Sequence, residues 1–197
     1  MSVCHKILLL ITFTWEQRKL GEITTRIVRK NKNNETNLPL TISAEYGLVD
    51  QITFFNNRIA SLNLKGYYLL YKGDFAYNKS TSSEAPWGTV KRLDRHDKGA
   101  VSTLYIAFKP LDIVDSSYLL FYYETNRWHK EVCQIAAEGA RNHGLLNMST
   151  EDFFKTNLRL PALEEQEKIG DVLSKISTLI TLHQRKCDQL KMLKRQC

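Results

Sequence analysis

Two short stretches of this chain combine residue types able to hold a polyanion. The first is Lys72-Gly73-Asp74-Phe75-Ala76-Tyr77-Asn78-Lys79-Ser80, followed by Gly88-Thr89-Val90-Lys91-Arg92-Leu93. It implies two strands and a hydroxyl-rich loop, Ser80-Thr81-Ser82-Ser83, flanked by Lys79 on one side and by Lys91 and Arg92 on the other. Cations, amides and hydroxyls reach phosphate oxygens and base edges alike. The second is Glu138-Gly139-Ala140-Arg141-Asn142-His143-Gly144, where glycines bracket an Arg-Asn pair. In bidentate contacts Arg favours guanine and Asn favours adenine. Lys79, Ser80, Lys91, Arg92, Arg141 and Asn142 are therefore the candidate nucleic-acid contacts. Each stretch also has a plainer reading: a β-hairpin whose cations face water, and a turn in which Arg141 ties down the sheet.

Covalent chemistry finds no such grouping. The sequence has no G-x-x-x-x-G-K-[ST] phosphate loop, no G-x-G-x-x-G, no G-x-S-x-G elbow and no H-E-x-x-H helix. His96 falls in the polar turn Arg95-His96-Asp97-Lys98, and His5, His129, His143 and His183 stand in no triad pattern. Cys4, Cys133, Cys187 and Cys197 lack metal-ligand spacing, against both a zinc site and a disulfide framework. No catalytic residue, metal ligand or cofactor of its own is expected. The net charge of +7 gathers at two places, six basic residues between 18 and 32 and five between 183 and 197. Such patches suit a polyanion, although many basic proteins never meet one. The apolar run Ile7–Ile11 has no small-residue cleavage site, and no stretch approaches the roughly 20 residues of a membrane span, so a cytoplasmic protein is expected.

Periodicity supplies the scaffold for these groups. Residues 1–14 differ in character from the rest of the chain and form an atypical lead-in. Short strands are expected at Leu40–Ser43, Tyr67–Tyr71, Phe75–Asn78, Gly88–Leu93 and Val101–Phe108, punctuated by Gly and Pro. After Pro110 the pattern turns helical: Asp115 or Ser116 caps a helix carrying Tyr118, Leu119, Tyr122 and Tyr123, Trp128–Ala136 continues it or forms a second, and Ser149 starts another. Strands followed by helices predict an α+β domain over residues 15–160. A helix of about 33 residues then closes the chain, Glu164–Gln196, near 50 Å long at about 1.5 Å per residue. Its Ile169, Leu173, Ile176, Ile180, His183, Cys187 and Leu190 alternate steps of four and three, the period of a coiled-coil seam. So narrow a stripe on so long a rod needs a partner helix. His183 reads as a register-setting polar residue or a partner contact.

Several segments together resemble the DNA-specificity subunit of type I restriction-modification systems. Trp15-Glu16-Gln17-Arg18-Lys19-Leu20-Gly21-Glu22 is similar to the opening of its target-recognition domain, and Lys72–Ser80, Lys91-Arg92-Leu93 and Gly139-Ala140-Arg141 to recurring internal motifs. Leu160-Pro161-Ala162-Leu163-Glu164-Glu165-Gln166-Glu167-Lys168-Ile169-Gly170, continuing to Leu182-His183-Gln184-Arg185-Lys186, is similar to its conserved spacer helix. The resemblance implies a target-recognition domain with a small twisted mixed or antiparallel sheet and packed helices, then a spacer and dimerisation helix over residues 161–197.

It also implies a non-catalytic subunit that binds double-stranded DNA and directs a methyltransferase subunit, and possibly a restriction subunit. Those partners would carry S-adenosylmethionine, Mg2+ and ATP. A typical member holds two recognition domains and two conserved helices packed antiparallel. This chain matches one of each, a half-length form. The expectation is a homodimer through antiparallel C-terminal helices that prefers a palindromic bipartite site. The alternative is a truncated fragment that modulates the methyltransferase or a full-length specificity subunit through its helix.

Overall fold

The computed structural model describes residues 15–57, 59–137 and 144–196. Its centre is a four-stranded antiparallel sheet in the order β2 (Thr24–Arg26), β9 (Ile106–Pro110), β6 (Phe75–Asn78), β7 (Thr89–Arg92). Side chains alternate faces along a strand, and here the alternation is large against small. Phe75 lies opposite Phe108, Ala76 opposite Ala107 and Tyr77 opposite Ile106. The large residues point one way, into a core shared with α3 (Ser116–Tyr123), α4 (His129–Ala137) and α5 (Thr150–Phe154). There Phe75 stacks on Phe108 at 5.4 Å between ring centroids and Tyr77 on Phe153 at 4.5 Å. Burial drives the Tyr77 phenol far above its usual range, and its hydroxyl donates to the Trp87 carbonyl at 2.8 Å.

Ala76 and Ala107 face the opposite way. Their small size lets a second layer approach, made of β3 (Leu40–Ser43), β4 (Gly47–Asp50), β5 (Tyr68–Tyr71) and β8 (Lys98–Val101), which contributes Leu40, Leu48, Leu70 and Val101. β3 pairs with β4 and β5 with β8, both antiparallel. The single strand expected over Val101–Phe108 is broken in two. Ser102 accepts at its carbonyl from the Tyr105 amide and at its hydroxyl from the Leu104 amide, closing a turn between β8 and β9. A short α2 (Gln51–Phe55) follows β4, capped by Asp50, whose carboxylate accepts from the Ile52 amide at 2.9 Å. Near the start of the described chain, β1 (Glu16–Lys19) leads into a one-turn α1 (Leu20–Ile23) and pairs with β10 (Asn157–Leu160). The first and last strands of the domain are thus neighbours.

The long helix α6 spans Leu163–Gln196 and, among the described residues, is fastened to the domain through its first turns. The buried Gln166 makes the joint: its side-chain oxygen accepts from the Asp115 amide at 3.0 Å, and its nitrogen donates to the Pro161 carbonyl at 2.9 Å. Asp115 in turn caps α3, accepting from the Tyr118 amide. Gly170 allows the close approach of the two helices, since a Cβ there would stand 3.0 Å from Ser117 Cβ and 3.1 Å from the Tyr118 amide nitrogen. Beyond Ser174 every described residue of α6 is exposed, including Ile176, Ile180 and Leu190 at about half of their full surface.

Gly170→Val should therefore lower domain stability by about 1–3 kcal/mol, the usual cost of an overpacked contact, despite the better helix propensity of Val over Gly. Chemical denaturation followed by tryptophan fluorescence measures it. An unchanged midpoint would show that the helices do not meet at Gly170.

Candidate nucleic-acid interface

Lys79 and Ser80 sit where β6 ends, and the structure gives them company that lies far away in the sequence. Ser80 forms an isolated antiparallel bridge with Leu145, and both the amide and the hydroxyl of Thr81 donate to the Gly144 carbonyl, at 2.7 and 2.9 Å. The Lys79 carbonyl accepts from the Leu146 amide, and its ammonium donates to the Met148 carbonyl at 3.0 Å. An ammonium has three protons, so two remain for another acceptor. Arg141 and Asn142 lie outside the described residues. The hydroxyl-rich loop nevertheless meets the chain just after them, at Gly144 and Leu145.

Beside this junction lies a cavity of about 200 Å3, walled by Arg26, Tyr68, Lys79, Leu104, Tyr105 and Leu145 among others. β2 supplies Arg26 and β5 supplies Tyr68, while Leu104 and Tyr105 come from the turn between β8 and β9. The Lys30 ammonium sits 3.8 Å from the centroid of the Tyr68 ring, which draws a third cation to the same place. Arg26 has a loose partner in Glu151, 3.6 Å away and largely exposed. Three cations, a hydroxyl loop and exposed apolar side chains at Leu104 and Leu145 thus share one end of the domain. That mixture suits a sugar-phosphate backbone with bases beside it.

Lys91 and Arg92 are placed elsewhere. In the β6–β7 hairpin Asn78 lies opposite Thr89, so Lys91 pairs with Ala76 and Arg92 with Phe75, several residues down the strand from Ser80. At about 3.4 Å per residue that is more than 10 Å away. Their charges are also engaged. Lys91 is buried and donates to Glu124 at 2.7 Å, while Arg92 donates to Asp94 at 2.7 Å and to the Ser116 hydroxyl at 3.0 Å, at the start of α3. Flanking positions in a hairpin sequence are not neighbours in space once the register is set. The residues absent from the sequence-based set are Arg26, Lys30, Tyr68 and Leu104. The only linear trace was the basic cluster of residues 18–32.

The seam residues of α6 divide into two groups. Ile169 packs on the domain core and, with the half-buried Leu173, lines a separate groove against α3, whereas Ile176, Ile180, His183, Cys187 and Leu190 face solvent.

The chain belongs to the family of type I restriction modification DNA specificity domains, whose model matches residues 13–192. Among solved structures it is similar to the HsdS subunit from Thermoanaerobacter tengcongensis, with 17% identity and a TM-score of 0.60 over 87% of this chain and 44% of that one. It is also similar to a chain described under the structural basis of complex assembly and conformational transition of the type I R-M system, with 13% identity and a TM-score of 0.61 over 90% and 46%. The chain thus spans less than half the length of either. No curated protein sequence matches it. The α+β domain with small antiparallel sheets and a long C-terminal helix is the fold they share. No helix among the described residues is long and apolar enough to cross a membrane.

Removing Arg92 should cost stability: Arg92→Ala strips the Asp94 and Ser116 contacts and the packing of a largely buried side chain, for a loss of about 1–2 kcal/mol. A thermal melt checks this, and a midpoint equal to that of the parent chain would return Arg92 to the free surface.

Proposed function

We propose that this chain is the recognition half of a type I specificity subunit. It reads one half of a bipartite DNA site with the end of the domain that carries Lys79 and Ser80. The observation that carries this is a cavity lined by Arg26, Lys79 and Leu145, with Lys30 over the Tyr68 ring of its wall and Ser80 bridged to Leu145, in a chain of this family. Lys79, Arg26 and Lys30 would hold phosphates, which fix position, and Ser80 with the loop bearing Arg141 and Asn142 would supply base contacts. Lys91 and Arg92 would brace the β7 edge. The chain itself would carry no catalysis. S-adenosylmethionine, Mg2+ and ATP would be bound by the methyltransferase and, where present, restriction subunits that it directs.

Two recognition halves would arise by symmetry, through a homodimer whose α6 helices pair antiparallel and act as the spacer between half-sites. A second reading draws on the exposed apolar stripe of α6: the chain would act chiefly by occupying the methyltransferase or a full-length specificity subunit. The two separate cleanly. Alanine at Arg26 and Lys79 should weaken binding to duplex DNA and lower the slope of log affinity against log salt by about 0.9 per lost phosphate contact, whereas Lys91→Ala should leave the slope unchanged. If the alanine variants keep full cellular effect while Ile176→Asp abolishes it, the second reading stands. Mapping methylated bases genome-wide with and without the gene completes the test. An unchanged set of methylated sequences, together with no DNA protection when the methyltransferase subunit is present, would sink the recognition role.

A further inference from the structure

The turn between β8 and β9 carries an apolar side chain that the fold does not bury. Turn positions ordinarily hold small or polar residues that bond to their own backbone, yet Leu104 occupies this one and is 73% exposed. It joins none of the buried apolar clusters of the described residues. The turn itself is fixed. The Ser102 carbonyl accepts from the Tyr105 amide at 3.1 Å, the Ser102 hydroxyl accepts from the Leu104 amide at 3.3 Å, and the Tyr105 hydroxyl lies 3.4 Å from that of Thr41 on β3. Tyr105 also packs against the second strand layer. Leu104 is thus held out on a braced support, and burying it against a partner orders little beyond the side chain itself.

The surroundings of Leu104 point to that partner. It shares the wall of the 200 Å3 cavity with Arg26, Lys79 and the exposed Leu145, and the Lys30 ammonium lies over the Tyr68 ring of the same wall. An apolar side chain among cations suits a polyanion that also offers an apolar spot. In the major groove of DNA every base pair shows hydrogen-bond donors and acceptors, and thymine adds a methyl group. Breadth favours that groove as well. The turn crosses from the second strand layer to the central sheet, whose β6 leads into the Ser80–Leu145 bridge, and stacked sheets lie about 10 Å apart. An edge of that breadth fits a major groove about 12 Å wide and not a minor groove about 6 Å wide.

We propose that Leu104 is a specificity-determining residue, packing on the C5-methyl of a thymine in the half-site while Arg26 and Lys79 hold neighbouring phosphates. This rests on the recognition role proposed above and adds a base to it. Ser80 by itself discriminates weakly, because a hydroxyl both donates and accepts. A leucine makes neither bond, so it gains from the methyl and loses against the polar edges of the other bases. The half-site therefore contains a thymine read by contact, at a position separate from those read by hydrogen bonds from Ser80, Arg141 and Asn142.

Selection from a random-sequence duplex library, by the chain assembled with its methyltransferase subunit, supplies the probe. Each thymine of the enriched half-site is then replaced in turn by uracil, which removes the C5-methyl and keeps the pairing edge. At one position the replacement should weaken binding by the parent chain about fourfold, the worth of one buried methyl-sized group. Leu104→Ala should bind the thymine duplex more weakly than the parent chain does, with an unchanged thermal midpoint, and should bind the thymine and uracil duplexes equally. If no replacement affects the parent chain, or if the fourfold loss persists in Leu104→Ala, the leucine reads no methyl and the inference falls while the recognition role stands. Weaker assembly of Leu104→Ala with the methyltransferase subunit in the absence of DNA would then identify the surface that Leu104 serves instead. A library that yields no enriched sequence overturns the recognition role and this inference with it.

Discussion

One buried amide holds the two parts of this molecule in register. Gln166 bridges the Asp115 amide and the Pro161 carbonyl, and it does so without solvent to compete. Leaving either group unpaired in the interior would cost about 1–3 kcal/mol, so the bridge fixes rather than merely decorates the joint. Asp115 is also the cap of α3, and Gly170 lets α3 and α6 touch at backbone distance. The direction in which α6 leaves the domain is therefore set by the same residues that start α3, and α3 in turn packs its Leu119 and Tyr123 into the core beneath the central sheet.

That coupling matters because the candidate cation cavity and the groove beside α6 lie on different parts of the fold. The cation-lined cavity sits at the ends of β2, β5, β6 and the β8–β9 turn, and the aromatic groove sits where α3, β1 and β10 meet α6. Between them runs a sheet whose Phe75, Tyr77, Ile106 and Phe108 stack on the helices with the density of a packed core, which transmits position and yields little. The direction of α6 is thereby tied to the position of the central sheet, since no soft layer intervenes. The small side chains on the other face, Ala76 and Ala107, serve the same end by seating the second strand layer close against the sheet.

The charges tell the same story of division. Lys91 and Arg92, conspicuous as a pair, are spent on Glu124, Asp94 and Ser116 and stabilise the β7 edge against α3. Arg29 is likewise engaged, with the buried Asp74 and over the Tyr71 ring. Desolvation holds the Asp74 carboxyl above its usual range, partly offset by the Tyr71 amide and the Arg29 guanidinium. Arg26, Lys30 and Lys79 differ from these: Arg26 has only the largely exposed Glu151, Lys30 the Tyr68 ring and Lys79 a backbone carbonyl. The net charge of the chain said nothing about which cations those would be.

Local chemistry alone carried much of the fold. Asp115 and Ser149 cap the helices expected of them, the strands at Leu40–Ser43 and Phe75–Asn78 lie where alternation put them, and the stripe of α6 was plain from its spacing, because each depends on neighbours a few residues apart. The turn at Ser102 was missed, since the hydroxyl and carbonyl that close it compete with a continuous run of strand-forming residues. The side chains a polyanion site could draw on were also legible, cations beside hydroxyls at Lys79 and Ser80. Its membership was not. Whether Arg26 and Tyr68 join Lys79, or Lys91 stands beside Ser80, depends on strand order and register, and those are settled by which large side chains pack against which small ones across tens of residues. Residue type and short spacing determined what this chain has to offer a partner; long-range packing, which no window of sequence contains, decided which residues are left to offer it.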